Sequence, residues 1–200
     1  MNIQENAWNR IETFLNRNSF DGFTSNDLFI MKFVKKGWGQ DIAALSNMAE
    51  AVWRRYKLDK LSKFESEQLL NKIITTATHR RVAPYRNNIE STRNLGAHGY
   101  YLEHLNIILG IAGSIGQTEH ENLNKRISEH LRDESLGQDN AHAPLLPHVK
   151  MRWSADQAAI IRSLHLCDQN YQTDFHLEPC NKWLGFMKNN MTHLKTGLFE

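Results

Sequence analysis

The sequence predicts an all-α protein: helical hairpins stacked side by side as part of an (α/α)6 toroid, with about half of the ring present. Three observations carry that expectation. Apolar residues recur at helical spacing in every long segment, and none shows sustained period-two alternation. Helices apolar on most faces alternate with helices apolar on one side only. One frame also occurs twice: Trp38, Asp41, Ala43-Ala44, Tyr56 and Asp59 correspond to Trp153, Asp156, Ala158-Ala159, Tyr171 and Asp174 at a single offset of 115 residues.

Size and charge bound the function. Two hundred residues, 40% of them apolar, suffice for one sizeable core, so a single domain over 1–200 is expected. The net charge is +2 and basic residues gather no further than Arg54-Arg55 and His79-Arg80-Arg81. That excludes the footprint of a dedicated nucleic-acid binder. The first residues are polar and no apolar run approaches ~18 residues, so neither a signal peptide nor a membrane span is expected and no membrane partner is called for. Cys167 and Cys180 lack metal-type spacing and read as reduced residues of a cytoplasmic protein.

Taken in order, Ile3, Ala7, Trp8, Ile11, Phe14 and Leu15 make 3–17 an amphipathic helix, broken by Asn18–Asn26. A short apolar piece at Leu28–Val34 precedes Gly37-Trp38-Gly39 and a helix over 41–56 that is apolar nearly all round. Ser62 with Glu65 is a capping box opening a helix to about His79, one-sided through Leu69, Leu70, Ile73, Ile74 and Ala77. Residues 100–115 are apolar on most faces, and Thr118 with Glu121 caps a helix whose Leu123, Ile127 and Leu131 form a narrow stripe. Ser154 with Gln157 is a third capping box, opening a buried helix over 154–168 around which the chain is expected to be organised. Pro179 lies in the first turn of a last helix carrying Trp183, Leu184, Met187 and Met191.

Three hairpins of about 57 residues alternate inner and outer helices, as in curved arrays and closed rings. Six such units need more than ~300 residues, and the chain ends without a polar capping repeat. The expectation is therefore a chain incomplete at its C-terminus, or a homo-oligomer, or association with the missing half of the ring.

The long connections, 80–98 and 133–152, emerge where the inner helices begin. That end gathers Trp38, Gln40, Asp41, Tyr85, Arg86, His98, Tyr100, Tyr101, Glu103, His104, His142, His148, Trp153, Asp156 and Gln157. Carboxylates, imidazoles and phenols around a partly apolar cup suit acid–base chemistry on a small-molecule substrate. Asp41, Asp156 and His104 are the candidate catalytic residues; Trp38, Tyr85, Tyr100, Tyr101, Trp153 and Gln157 are the candidate substrate contacts. Structural alternatives stand beside them: the aspartates complement helix dipoles, the tryptophans pack, and His104 is a satisfied core histidine. Of Tyr100 and Tyr101, one must face inward and the other away. The ten histidines include no i, i+4 pair, so no metal is assigned, and no cofactor is expected.

Tyr100-Tyr101-Leu102-Glu103-His104-Leu105-Asn106, then Leu109-Gly110, then Trp153 to Asp156 through Cys167-Asp168 and Thr173-Asp174 resembles the linalool dehydratase/isomerase family over roughly residues 35–199. The resemblance implies an (α/α)6 toroid that adds or removes water and isomerises a small terpene alcohol without a cofactor. It implies an acid–base role for His104 in its His-Leu-Asn triplet. The family's two cysteines have no counterpart: the loop before the third inner helix carries none, and Asp156 stands at the second position. A lyase or isomerase acting on another substrate is the expected function. Two alternatives are a glycoside-hydrolase-like toroid using Asp41 and Asp156 as a carboxylate pair, and a non-catalytic helical-repeat binding protein.

Overall fold

The computed structural model describes residues 3–16, 40–80, 82–148, 152–193 and 195–196. They form α1 (Ile3–Leu15), α2 (Gln40–Lys57), α3 (Lys63–Thr78), a 3-10 turn (Ile89–Ser91), α4 (Gly99–Ser114), α5 (Glu121–Leu136), α6 (Ser154–Tyr171) and α7 (Leu177–Asn190), with no β-strand element among the described residues. The protein is all-α. The pieces read at Asn18–Asn26, Leu28–Val34 and Gly37–Gly39 lie outside the described residues. No described helix is long and apolar enough to cross a membrane.

The hairpins pack in two rows. α4 lies between α2 and α6, while α3 packs on α2 and α4, α5 on α4 and α6, and α7 beside α5. Side-chain pairs set the directions. Tyr101 near the start of α4 reaches the Ala77 carbonyl at the end of α3, and Gln117 just past α4 reaches Glu67 and Asn71 near the start of α3. α3 therefore runs antiparallel to α4. Asn106 pairs with Ser163, and Ser114 with Asn170, so α4 and α6 are parallel. The turn over 58–62 is short enough to make α2 antiparallel to α3. The helices of the first row, α2, α4 and α6, thus all begin at one end, and α2 and α6, which carry the repeated frame, are both 18 residues long.

Two expectations need correction. The centre of the array is α4, not α6. Twelve of the sixteen residues of α4 are buried, whereas α6 exposes Ala155 and Ala158. Two helices flank α4 in its row, and two more cover it from behind. Of the three expected capping boxes, only the one at Ser62 forms. Ser62 Oγ accepts from Glu65 N–H (3.2 Å) while Glu65 Oε2 accepts from Ser62 N–H (2.8 Å). At the other two, Trp153 and His120 take the N-cap positions without side-chain cap bonds. Tertiary partners outbid the local pattern: Gln157 turns inward to accept from Ala143 N–H and to donate to Ser135 Oγ.

The α4–α6 contact is close because Gly110 allows it. A Cβ there would lie 2.8 Å from the Cβ of Leu166. At the same level a buried polar hub replaces apolar packing: Asn106 Nδ2 donates to Ser128 Oγ (2.9 Å) and Ser163 Oγ (3.0 Å), and Asn124 donates to Asn106 Oδ1. Three helices are held in one register by groups that would be costly to leave unpaired.

Candidate functional site

The starts of α4 and α6 are joined by a strap from the connection that precedes α6. The carbonyls of Pro144 and Leu145 accept from the first amides of α4, Gly99 (3.0 Å) and Tyr100 (3.2 Å). A Cβ on Gly99 would lie 2.5 Å from the Pro144 oxygen, so this approach requires glycine. On the α6 side, the buried His142 places Nδ1 2.9 Å from the Ala143 oxygen and Nε2 2.7 Å from the Trp153 oxygen. The same Trp153 carbonyl accepts from the Asp156 and Gln157 amides. Carbonyl oxygens only accept, so both contacts are hydrogen bonds when both ring nitrogens carry protons. The strap sets one helix start against the other.

Above it sits Glu103, fully buried, with neither carboxyl oxygen hydrogen-bonded. His104 Nε2 is 3.6 Å from Glu103 Oε1. Burial, and then the charge of Asp156, hold the Glu103 carboxyl well above the usual carboxylate range. Burial pushes His104 down to about 4. Asp156 is raised by burial and drawn back by His142, and its Oδ2 is buried without a partner. The Tyr100 ring meets His104 edge-on at 4.9 Å, and burial, then the charges of Glu103 and Asp156, raise its phenol to about 12. Burial thus favours the neutral form of both the Glu103 carboxyl and the His104 imidazole.

The structure therefore brings together His104, Asp156 and Tyr100. Asp41, also raised by burial and with Oδ1 buried and unpartnered, stands at the start of α2, and neither aspartate is shifted by the other's charge. Tyr101 and Gln157 lie behind the site. Tyr101 is fully buried with its hydroxyl on Ala77, and the Gln157 amide is committed to Ala143 and Ser135. Tyr85 donates to the Leu95 carbonyl (2.7 Å) and packs edge-on against His98 and Tyr101. Trp153 is exposed. Arg86 and His148 are exposed as well. Trp38 and the side chain of Gln40 lie outside the described residues.

Glu103 is the residue to which sequence reasoning assigned no role. Its signal was present: it is the one carboxylate in the mostly apolar run Tyr100–Ile115. Elsewhere, Asp168, Asp174 and His176 bring candidate ligand atoms within 4.8 Å of one another. The Asp168 carboxylate, however, already accepts from Thr173 Oγ1, the Phe175 and His176 amides and His176 Nδ1. Those bonds clamp the start of α7.

No protein family, curated protein or solved structure matches the chain.

Proposed function

We propose that the chain is a cofactor-independent lyase or isomerase of the hydration–dehydration type, working on a small alcohol at Glu103, His104 and Asp156. The observation that carries the reading is the enclosed, unpartnered Glu103 carboxyl beside a neutral imidazole and a second raised carboxyl. Buried groups left without hydrogen bonds are expensive in a fold, and perturbed acid–base groups gather where proton transfer is performed. The finer architecture belongs to the same proposal: three parallel inner helices backed by outer ones form one arc of an (α/α)6 toroid, completed by further hairpins or by other copies of the chain. Its two free cysteines suit a reducing, cytoplasmic setting.

Asp156 donates its proton to the substrate hydroxyl, the C–O bond breaks and water leaves. His104 takes the proton from the adjacent carbon, and that C–H electron pair becomes the double bond. The resting state returns when Glu103 passes its proton to Asp156 and takes one back from His104. Hydration runs the same steps in reverse. Tyr100 flanks His104 edge-on.

The test works without the natural substrate in hand. Small secondary and tertiary alcohols are incubated with the protein in 18O-water, and exchange of the hydroxyl oxygen is followed by mass spectrometry. Catalysed exchange with at least one alcohol is expected, falling about 10²–10⁴-fold in each of Glu103→Gln, His104→Ala and Asp156→Asn. No exchange with any alcohol, or undiminished exchange in Asp156→Asn, removes the reading.

A further inference from the structure

The two most exposed large apolar side chains among the described residues, Leu58 (66%) and Phe64 (67%), both belong to the hairpin tip between α2 and α3. The tip is firmly built. Leu58 and Lys60 amides donate to Arg54 and Arg55 carbonyls, Asp59 turns the chain at φ 54°, and the Ser62–Glu65 box holds Phe64 in the first turn of α3. Its exposed apolar groups are fixed in place rather than carried on a loose end.

Charge is concentrated in the same place. Residues 54–64 contain Arg54, Arg55, Lys57, Lys60 and Lys63 against the single acid Asp59, five minus one giving +4, whereas the whole chain nets only +2. Acidic groups touching the tip are committed: Glu65 to the cap, Glu5 to Arg55 and Lys60, and Glu67 to Lys63. Arg55 is further engaged over the Trp8 ring. Arg54, Lys57, Lys60 and Lys63 are all exposed, Lys60 and Lys63 in surface pairs with Glu5 and Glu67 that anionic headgroups can replace, and Lys57 over the Trp53 ring. The tip closes the C-terminal end of α2, opposite the end where the strap and Glu103 lie.

We propose that this tip docks the protein on an anionic lipid surface, Leu58 and Phe64 entering the headgroup–acyl boundary and the four surface cations meeting acidic headgroups. Apolar side chains ringed by basic ones are the chemistry of such contacts, since lipid offers both a charged layer and a hydrocarbon layer. A nucleic-acid backbone would satisfy the cations and leave both apolar side chains in water. Docking through the tip leaves the start of the inner helices facing away from the membrane.

The test is co-sedimentation of the full chain with phosphatidylcholine vesicles with and without about one-third phosphatidylserine. Partitioning is expected to be at least tenfold stronger with the acidic lipid and to weaken with added salt. Leu58→Ser/Phe64→Ser and Lys57→Glu/Lys60→Glu should each lower it about tenfold, while Phe64→Trp retains it; unchanged helix content by circular dichroism shows that the variants fold. Equal binding to neutral vesicles, or none to either, overturns the proposal. So does binding to duplex DNA with the same loss in the Lys57→Glu/Lys60→Glu variant, or self-association in sedimentation that Leu58→Ser/Phe64→Ser abolishes.

Discussion

Nε2 of His104 lies 3.6 Å from Oε1 of Glu103 although the two residues are consecutive on one helix, where neighbours normally point apart. The carboxyl is buried completely and the imidazole retains 17% exposure. Each neutral form is favoured by the surroundings that the other helps to dry.

This pair makes stability depend on pH in two opposed ways. Glu103 has a folded pKa above its unfolded value, so the folded form is favoured fully below about 4.5 and loses that advantage as pH rises toward the raised pKa. His104 has a folded value of about 4 against 6.5 unfolded, so its contribution is intact above 6.5 and is lost as pH falls through 4. Denaturant melts should show about 3 kcal/mol lost on the acid side through His104, a loss removed in His104→Gln. The decline on the alkaline side should disappear in Glu103→Gln. Because the two contributions oppose each other between pH 4 and 6.5, a profile left unchanged by both His104→Gln and Glu103→Gln would refute both assignments.

The hub at Asn106 predicts a larger mechanical effect. Asn106→Leu would strand Ser128, Ser163 and Asn124 without their shared partner in a buried layer. A loss of about 2–4 kcal/mol in the unfolding free energy is expected. Loss below about 1 kcal/mol would mean that the three partners re-pair among themselves.

The glycines separate two effects. Gly99→Ala would push a methyl group into the Pro144 carbonyl and detach the strap, destabilising by about 1–3 kcal/mol and speeding hydrogen exchange at the Gly99 and Tyr100 amides. Gly185→Ala, in the interior of α7 with open space around it, should stabilise by about 0.5–1 kcal/mol. Thermal melts moving in the same direction for both would contradict the geometry.

Much of the architecture was legible because it is written in periodicity. Helical spacing marked the helices, the repeated Trp-Asp-Ala-Ala frame paired α2 with α6, and the Ser62–Glu65 box named a helix start correctly. Only α4 is buried on most faces, however: α2 and α6, read as buried nearly all round, bury one side much as α3 and α5 do. The box at Ser154 misled because Gln157 has partners in Ala143 and Ser135, which local spacing cannot reveal, and at Thr118 the helix starts after His120 with Glu121 turned to Lys125. Tyr100 and Tyr101 were rightly divided into two faces, but only the fold shows that Tyr101 bonds to Ala77 while Tyr100 meets His104. Glu103 was visible in the sequence as a charge in a mostly apolar run, and its significance came from complete burial without a hydrogen bond, which only the fold shows.

The strap also constrains the order in which the molecule can be assembled during translation. The first two amides of α4 are satisfied by carbonyls that leave the ribosome about 45 residues later, after the whole of α5 has been made. Until then α4 can pair with α2 and α3, but its leading turn stays open to water and Glu103 has no enclosure. The hairpins can consolidate from local contacts as they are made, whereas the cluster of Glu103, His104 and Asp156 must wait for the start of α6.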